Sequence, residues 1–345
     1  MKNLFYCFIA LTCLFGFQSC GKDTDTFIPT TTTTTVVGDT IWDADLLVKN
    51  DVPTSVLPPL NIEKLMEALK TPPTRDTFSA ERGGVIVTPD NVTVTFAPNS
   101  CVNANNTPCT GKLDVEILVI RKKGEFLLNN VPTSSLGKQL VSGGSVLVKV
   151  RRNGEEVRLA RNTFYRIKYA SPSEPDSRML LFDGKFEGRF KFDWTPIARL
   201  NGDFPSWRPW GDSAQTRQRG YDLNLDRFNW VNCDVFSGDS TNLTNKFCVA
   251  LPDSFTNQNT NAFVVFKDVN SVVALASDAR VKQFCVPSYY RGLPIGRQVI
   301  IVTVSNIKDR TYIATKETTI IANTVLRMEP TVTTKEALKT LIKNL

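Results

Sequence analysis

The chain has 345 residues, 41% of them hydrophobic, and a formal net charge of +7. This length and composition allow roughly two domains with buried cores. Histidine is absent, which excludes Ser–His–Asp and Cys–His nucleophile systems and zinc sites that rely on imidazole. Catalysis would then depend on paired carboxylates or a Ser–Lys pair. We therefore expect a protein that is not an enzyme and that holds no cofactor or metal.

The first residues have the pattern of an export signal. Lys2 supplies a positive charge, residues 4–17 form a short apolar stretch, and Ser19 directly precedes Cys20. Such a stretch is too short to span a bilayer and is typical of a cleaved secretory signal. The segment Phe17-Gln-Ser-Cys20 resembles the lipobox of bacterial lipoproteins, in the looser form found in the Bacteroidetes group.

This resemblance implies that residues 1–19 are a lipoprotein signal peptide and that Cys20 carries the acyl chains. One acyl chain binds a membrane only marginally, whereas two anchor a protein stably. The following Gly21-Lys-Asp23 and nearby Asp25 resemble the short acidic surface-export signal of the same group. We expect an outer-membrane protein held by lipid alone and exposed at the cell surface. The leaflet that carries the anchor is left open.

Residues 20–58 are predicted to form a disordered tether. Residues 30–35 are an unbroken threonine run, and prolines recur up to residue 59. A segment of this composition cannot bury enough apolar surface to offset its chain entropy. The tether would hold the folded body clear of the lipid.

Residues 59–195 are predicted to form the first β-domain, which begins with a short helix over residues 61–70. An apolar stripe at helical spacing indicates that helix; its members are Ile62, Leu65, Met66 and Leu69. From Gly83 onward, short runs of β-branched residues alternate with period two. Asn153-Gly154 is a strong hairpin turn between two of these runs. Regular short strands of this kind predict an antiparallel sandwich.

Three short motifs of this domain together carry a resemblance to a known β-module. They are Gly83-Gly84, the valine-rich strand that ends at Phe96-Ala-Pro98, and Leu140-Val-Ser-Gly-Gly144 before a further strand. With them, residues of about 80–175 resemble a ZU5-type β-domain. The resemblance implies a small β-module that serves protein contacts or structural support, and it carries no catalytic residues.

Residues 196–220 are rich in Trp, Pro, Gly and Arg and are predicted to be a linker loop. Residues 221–345 then show further short strands, which predict a second β-domain. That domain ends in a helix capped by Thr333 or Thr334. The apolar stripe of this helix comprises Leu338, Leu341, Ile342 and Leu345.

Three residues of the linker and one that follows it are candidate glycan-binding residues. They are Trp207, Arg208, Trp210 and Trp230. Exposed indoles offer flat apolar faces to sugar rings, and Arg stacks well on aromatic rings. Tryptophans also fill junctions between domains, and we favour that interpretation. The sequence leaves open whether the loop is a site or a junction.

Five cysteines remain in the predicted mature body, and in an oxidising compartment they would pair. Cys101 and Cys109 flank a polar loop, and we expect a disulfide between them. Among Cys233, Cys248 and Cys285 we favour the pair Cys248–Cys285, because both lie in segments that resemble strands. The sequence leaves open which two of these three pair.

Two further motifs match catalytic or metal-binding patterns only in part. The alternating oxygen ligands of 222–226 lack the Gly and terminal Glu of a calcium loop, and their apolar neighbours favour a strand. Ser135-Leu-Gly-Lys138 matches S-x-x-K, but the S-D-N and K-T-G partners of that chemistry are missing. We interpret both matches as chance.

The expected fold is all-β, with two antiparallel β-sandwich-like domains, a short N-terminal helix, a C-terminal helix and the disordered tether. The expected function is a non-enzymatic, lipid-anchored component of the outer envelope, structural or protein-binding. The alternative is a glycan-binding surface protein that uses the Trp-rich loop. A third hypothesis, a glycosidase, needs two carboxylates facing each other across a cleft. Expected partners are the membrane, through the lipid, and envelope proteins or polysaccharide. Lys and Arg are scattered, so nucleic acid is not expected.

Overall fold

The computed structural model describes residues 40–43, 59–171, 174–187, 191–197, 205–211, 219–238 and 241–345. The predicted signal peptide, the lipidation residue Cys20 and most of the predicted tether lie outside these residues. Strands make up 52% and helices 9% of the structure, which confirms the predicted all-β class with sandwich-like sheets. All the described residues belong to one compact unit.

Three helices lie in the described residues: α1 (Asn61–Leu69), α2 (Lys123–Leu128) and α3 (Lys335–Lys343). The first and last confirm the two predicted helices, and the apolar stripe of α1 is fully buried. Thr334, one of the two predicted caps of α3, accepts a hydrogen bond from the Ala337 amide at 3.1 Å. The helix α2 has six residues and is too short for a periodic pattern to show.

The strands of the first part of the chain follow in order. They are β1 (Thr74–Ser79), β2 (Gly84–Val87), β3 (Thr93–Phe96), β4 (Cys101–Val102), β5 (Lys112–Ile120), β6 (Ser134–Ser135), β7 (Lys138–Arg152), β8 (Glu155–Glu156), β9 (Arg158–Leu159), β10 (Tyr165–Ala170), β11 (Leu180–Glu187), β12 (Lys191–Pro196), β13 (Ser206–Gly211), β14 (Arg219–Leu225) and β15 (Trp230–Phe236).

The remaining strands belong to the last third of the chain. They are β16 (Leu243–Thr244), β17 (Phe247–Ala250), β18 (Thr260–Phe266), β19 (Val272–Asp278), β20 (Gln283–Cys285), β21 (Leu293–Pro294), β22 (Gln298–Ile307), β23 (Arg310–Thr319), β24 (Thr324–Arg327) and β25 (Thr331–Thr333). Strands β17 and β24 pair in parallel, and the other named pairs are antiparallel.

Two sheets of the first part form a sandwich. The first sheet has the order β1-β5-β7-β15-β11-β12, with β6 and β8 paired to β7, and the second has the order β13-β14-β10-β3-β2. Their facing sides share one core, to which β5 contributes Val115 and Ile117 and β10 contributes Tyr165 and Ile167. Alternating side chains on these strands place every second residue in that core.

The opposite side of the first sheet is also buried, because the third sheet packs against it. The third sheet has the order β24-β17-β20-β19-β18-β22-β23-β25. A middle core lies between the two sheets and contains Leu118, Trp194 and Trp230 from the first part with Phe263 and Leu338 from the last. The three helices contribute to this core as well. The molecule is therefore a stack of three sheets.

The sandwich extends further along the chain than the sequence analysis predicts. Strand β13 lies inside the predicted linker 196–220, and β14 starts before the predicted second domain at residue 221. Both pair within the second sheet, while β15 lies between β7 and β11 in the first sheet. The chain completes both sheets of the sandwich at Phe236 before it enters the third sheet. The assignment of these strands to the sandwich is decided by their pairing with strands that are distant in sequence, and local composition does not reveal such pairing.

Candidate functional site

One face of the second sheet points away from the sandwich core, and we call it the outer face. Its side chains are set by the pairing of β13, β14 and β10, in which Arg208 lies opposite Asp222 and Asp222 opposite Lys168. The neighbouring row carries Arg166 and Asn224. Because strand side chains alternate, the residues between them point into the core.

Asp222 is the electrostatic centre of the outer face. Only 1% of its surface is exposed. Arg166 donates to both of its carboxylate oxygens, and Arg208 Nε donates to Oδ2 at 3.1 Å. Burial opposes ionisation of Asp222, but the hydrogen bonds and charges of the two guanidinium groups outweigh it and lower the pKa of this carboxyl group. Residues 222–225, for which the sequence favours a strand, lie in β14, and Asp226 follows its end.

Trp210 lies on the same face, half-buried, opposite Gly220. Its indole Nε1 donates to the Tyr169 carbonyl on β10 at 3.2 Å, so the ring reaches across β14. A Cβ at Gly220 would lie only 1.9 Å from that carbonyl oxygen, so glycine is required here. Lys168 Nζ lies 4.1 Å from the centre of the indole ring, a cation–π contact.

The edge of the outer face is apolar. Val85 and Val87 on the edge strand β2 are 64% and 60% exposed. They share their face with Thr95 and Thr93 on β3, which lie directly opposite them. The outer face thus combines an aromatic ring, three cations with one carboxylate, and an exposed apolar edge.

The structure does not bring the four candidate glycan-binding residues together. Arg208 and Trp210 lie on the outer face, but Trp207 lies on the core side of β13, where its Nε1 donates to the Met179 carbonyl at 2.7 Å. Trp230 is buried in the middle core and contacts Trp194 edge to face. The Trp-rich segment thus supplies one indole to the surface and not an aromatic platform.

Sequence reasoning missed a groove of about 980 Å³ between the sandwich and the third sheet. Gly143, Arg178 and Tyr221 are among the residues that line it. Arg178 pairs with Asp176 through both its backbone and its guanidinium nitrogens, at 2.9 and 3.0 Å. Asn270 also lines the groove and ties the third sheet to the sandwich side, because its Nδ2 donates to the carbonyls of Arg121 and Ser142.

A fully buried carboxyl group, that of Asp234, directly precedes the groove residue Val235. Asn232 Nδ2 donates to Asp234 Oδ2. In the part of the chain that the structure describes, Asp234 Oδ1 has no hydrogen-bond partner. Burial raises the pKa of Asp234 well above its ordinary value, and hydrogen bonds from Ser142, Gly143 and Asn232 reduce this rise only in part. A Cβ at Gly143 would lie 2.8 Å from the Cys233 carbonyl oxygen, which explains the glycine.

The structure joins Cys248 and Cys285, the pair favoured by the sequence, across β17 and β20 with an S–S distance of 2.08 Å. The expected bond between Cys101 and Cys109 is not formed, and both are free buried thiols. Their loop is closed instead by a hydrogen bond from the Cys109 amide to the Cys101 carbonyl at 2.9 Å. Cys109 Sγ contacts Asn103 Oδ1. Burial raises the pKa of Cys101 to about 11.

Within the described ranges, no group of three or more acidic or cysteine side chains is placed to hold a metal ion. In the same part of the chain, no helix has both the length and the apolar character needed to cross a membrane.

The fold and the candidate site define a layered all-β protein with a cationic, tryptophan-bearing sheet face. Comparisons of the chain with protein-family models, with curated proteins and with solved structures found no match.

Proposed function

We propose that this chain is a non-enzymatic protein, anchored by lipid at Cys20 in the outer membrane, that binds another envelope protein through the outer face. The observation that carries the proposal is the composition of that face, with Trp210 and Arg208 on one edge strand of the sheet and exposed Val85 and Val87 on the other. Aromatic residues and Arg are enriched in protein interfaces and supply much of their binding energy.

Charge indicates the kind of surface that would bind there. Arg166, Lys168 and Arg208 bring three positive charges, and Asp222 offsets one, which leaves a net charge of +2. Complementary charge speeds association and selects partners. The partner surface is therefore acidic, with an apolar strip that covers the two valines.

Site-specific photocrosslinking in intact cells tests this proposal. A photoreactive residue in place of Val85 is expected to give a discrete adduct with another envelope protein. Arg208→Gln should weaken that adduct, because it removes an exposed charge. The matched control is Val332 on β25, which has the same 64% exposure on another sheet. Equal adducts at both positions, or none at Val85, would contradict the proposal.

A second candidate function is glycan binding. Its candidate site is the groove and not the Trp-rich segment. Binding sites for small ligands are concave and combine apolar walls with a few polar groups. The groove presents Tyr221 and Phe236 together with Asp176, Arg178 and Asn270. Sugars expose both hydroxyl groups and apolar ring faces, and this lining matches them.

Affinity electrophoresis through neutral polysaccharides tests the second candidate. Arg178→Ala is expected to abolish retardation of the protein. Arg280→Ala is the control, because Arg280 forms the same turn with Asp278, with both nitrogen–oxygen distances at 3.0 Å, outside the groove. Retardation that both variants share, or that neither the variants nor the unmodified chain shows, argues against a groove for glycans.

A further inference from the structure

A short segment from the N-terminal part of the chain lies on the third sheet, more than 200 residues away in sequence. The Asp43 amide donates to Asn257 Oδ1 at 3.0 Å, and Asn257 Nδ2 donates to the Asp43 carbonyl at 2.8 Å. One side-chain amide thus binds both polar groups of one backbone residue, using its donor and its acceptor together. Asn257 is only 4% exposed, so its position is fixed by the fold.

Two further contacts hold this segment. Gln258 Nε2 donates to the Ile41 carbonyl at 2.7 Å. The Trp42 ring packs on Phe284, with the ring centres 5.2 Å apart and an angle of 48° between the planes. Trp42 thereby covers the core on the far side of the third sheet. These three hydrogen bonds all go to backbone atoms of the segment, and the indole supplies the side-chain contact.

The surface that receives the segment extends beyond it. Two cavities, of about 150 and 290 Å³, lie next to each other. Both are lined by Asn257, Ala276 and Pro287. Asp43 lines the larger one, and Phe284 the smaller. The larger cavity therefore adjoins residues 41–43, and the smaller one continues the same surface beyond them.

We propose that Asn257, Gln258 and Phe284 form a peptide-binding site that takes an extended segment with a tryptophan side chain. Residues 41–43 are its ligand within the same chain. Because these three hydrogen bonds are made to backbone atoms, which every peptide has, the indole that packs on Phe284 supplies the selectivity for tryptophan. An extended tryptophan-bearing peptide of another protein competes with residues 41–43 for this site. The proposal is independent of the outer face, which belongs to a different sheet.

Calorimetric titration of the full chain with a synthetic peptide of residues 38–46 tests this site. The unmodified chain is expected to bind the peptide weakly, because its own segment is present at a high effective concentration. The Trp42→Ala variant removes the indole of that segment and should bind the peptide at least tenfold more tightly, with one site per chain. Adding Asn257→Ala to this variant should weaken binding at least tenfold.

Two controls separate recognition from loss of folding. A peptide with an N-methyl group on the Asp43 nitrogen lacks the hydrogen that Asn257 accepts, and it should fail to bind a fully folded Trp42→Ala chain. Asn261→Ala alters the smaller cavity without touching the segment and should leave binding intact. If Trp42→Ala does not fold, Asp43→Pro weakens the segment by removing the same N–H. No binding to the weakened variant, or equal binding of the methylated peptide, overturns the proposal.

Discussion

At the scale of single residues, two aspartates show how the surroundings of one chemical group set its charge. Asp222 and Asp234 are both almost completely buried. Two guanidinium groups face Asp222 and lower its pKa, whereas amide and hydroxyl donors face Asp234 and its pKa is raised. The first is stabilised as a carboxylate on the outer face. The second is stabilised as a neutral acid beneath the groove.

The raised pKa of Asp234 predicts a specific pH dependence. Between the ordinary Asp value of about 4 and the raised value, the folded state holds one more proton than the unfolded state. The free energy of unfolding therefore falls as the pH rises, by up to ~1.4 kcal/mol per pH unit. Asp234→Asn should remove this slope at pH values above about 4, measured by urea unfolding.

Asp222→Asn is the matched comparison, and the sign is opposite. Its folded-state pKa is lowered, so the carboxylate stabilises the fold above the ordinary value and this contribution is lost as the pH falls below it. The variant should be less stable than the unmodified chain at pH 7 and approach it in acid. Parallel pH curves for both variants would contradict the assignment.

At the scale of elements, the N-terminal end of α3 depends on the side chain of one residue. Thr333 and Thr334 are equivalent candidates from the sequence, and the structure selects Thr334, whose hydroxyl accepts from the Ala337 amide. Thr333 Oγ1 contacts only a neighbouring carbonyl at 3.4 Å. Strand β13 is a second example at this scale. Its side chains alternate between two faces, so Trp207 lies on the core side and Trp210 on the outer face.

The cap assignment predicts unequal effects of two similar substitutions. Thr334→Ala should lower the free energy of unfolding by about 1 kcal/mol, since it leaves an orphan helix amide. Thr333→Ala should change it by only a few tenths of that amount. Thermal unfolding followed by circular dichroism measures both, and an equal loss would mean that the cap lies elsewhere.

At the scale of the whole molecule, the middle core joins the sandwich to the third sheet. Trp194 and Phe182 from the sandwich lie in one cluster with Phe263 and Val302 from the third sheet. Helix α3 adds Leu338, which is fully buried. Because this cluster is shielded from water only when the sandwich and the third sheet are both folded, we expect the two to unfold as one unit.

Leu338→Ala tests this coupling. It should cost ~2–5 kcal/mol, the usual range for a large-to-small change in a core, and shift a single transition without splitting it. Leu341→Ala lies on the same helix but is 39% exposed and should have little effect. Two separate transitions, measured by tryptophan fluorescence and circular dichroism, would show that the parts unfold independently.

The proposed membrane anchor also concerns the whole molecule, and it would depend on Cys20. Cys20→Ala should abolish incorporation of labelled fatty acid and release the protein into the soluble fraction, because the lipid would be its sole anchor. Cys13→Ala, within the predicted signal peptide, should retain the label. Unchanged membrane association of the Cys20 variant would overturn the lipid anchor.

Local patterns were enough to predict several elements correctly. The buried stripe of α1 and the buried Leu338 and Ile342 of α3 follow from the helical period, and the alternation of β3 follows from the period of a strand. Of the other two residues predicted for the stripe of α3, Leu341 is exposed and Leu345 lies beyond the end of the helix. Cys248–Cys285 was favoured because both residues lie in strand-like segments. Strands β11 to β14 were harder to predict, because Gly, Pro and Trp in this region are typical of a loop and the pairing partners of these strands lie far along the chain.

The sequence by itself determined the all-β class, the two longer helices, the absence of histidine chemistry and the expectation of a lipid anchor. These follow from composition and from patterns within about ten residues. Only the tertiary structure decided which tryptophans are buried, where the cations of the outer face meet Asp222, and where the groove and the peptide site lie. The physical reason is that strand pairing and sheet packing bring together residues that are distant in sequence, such as Asp43 and Asn257. Their proximity depends on how the whole chain packs and not on any local pattern.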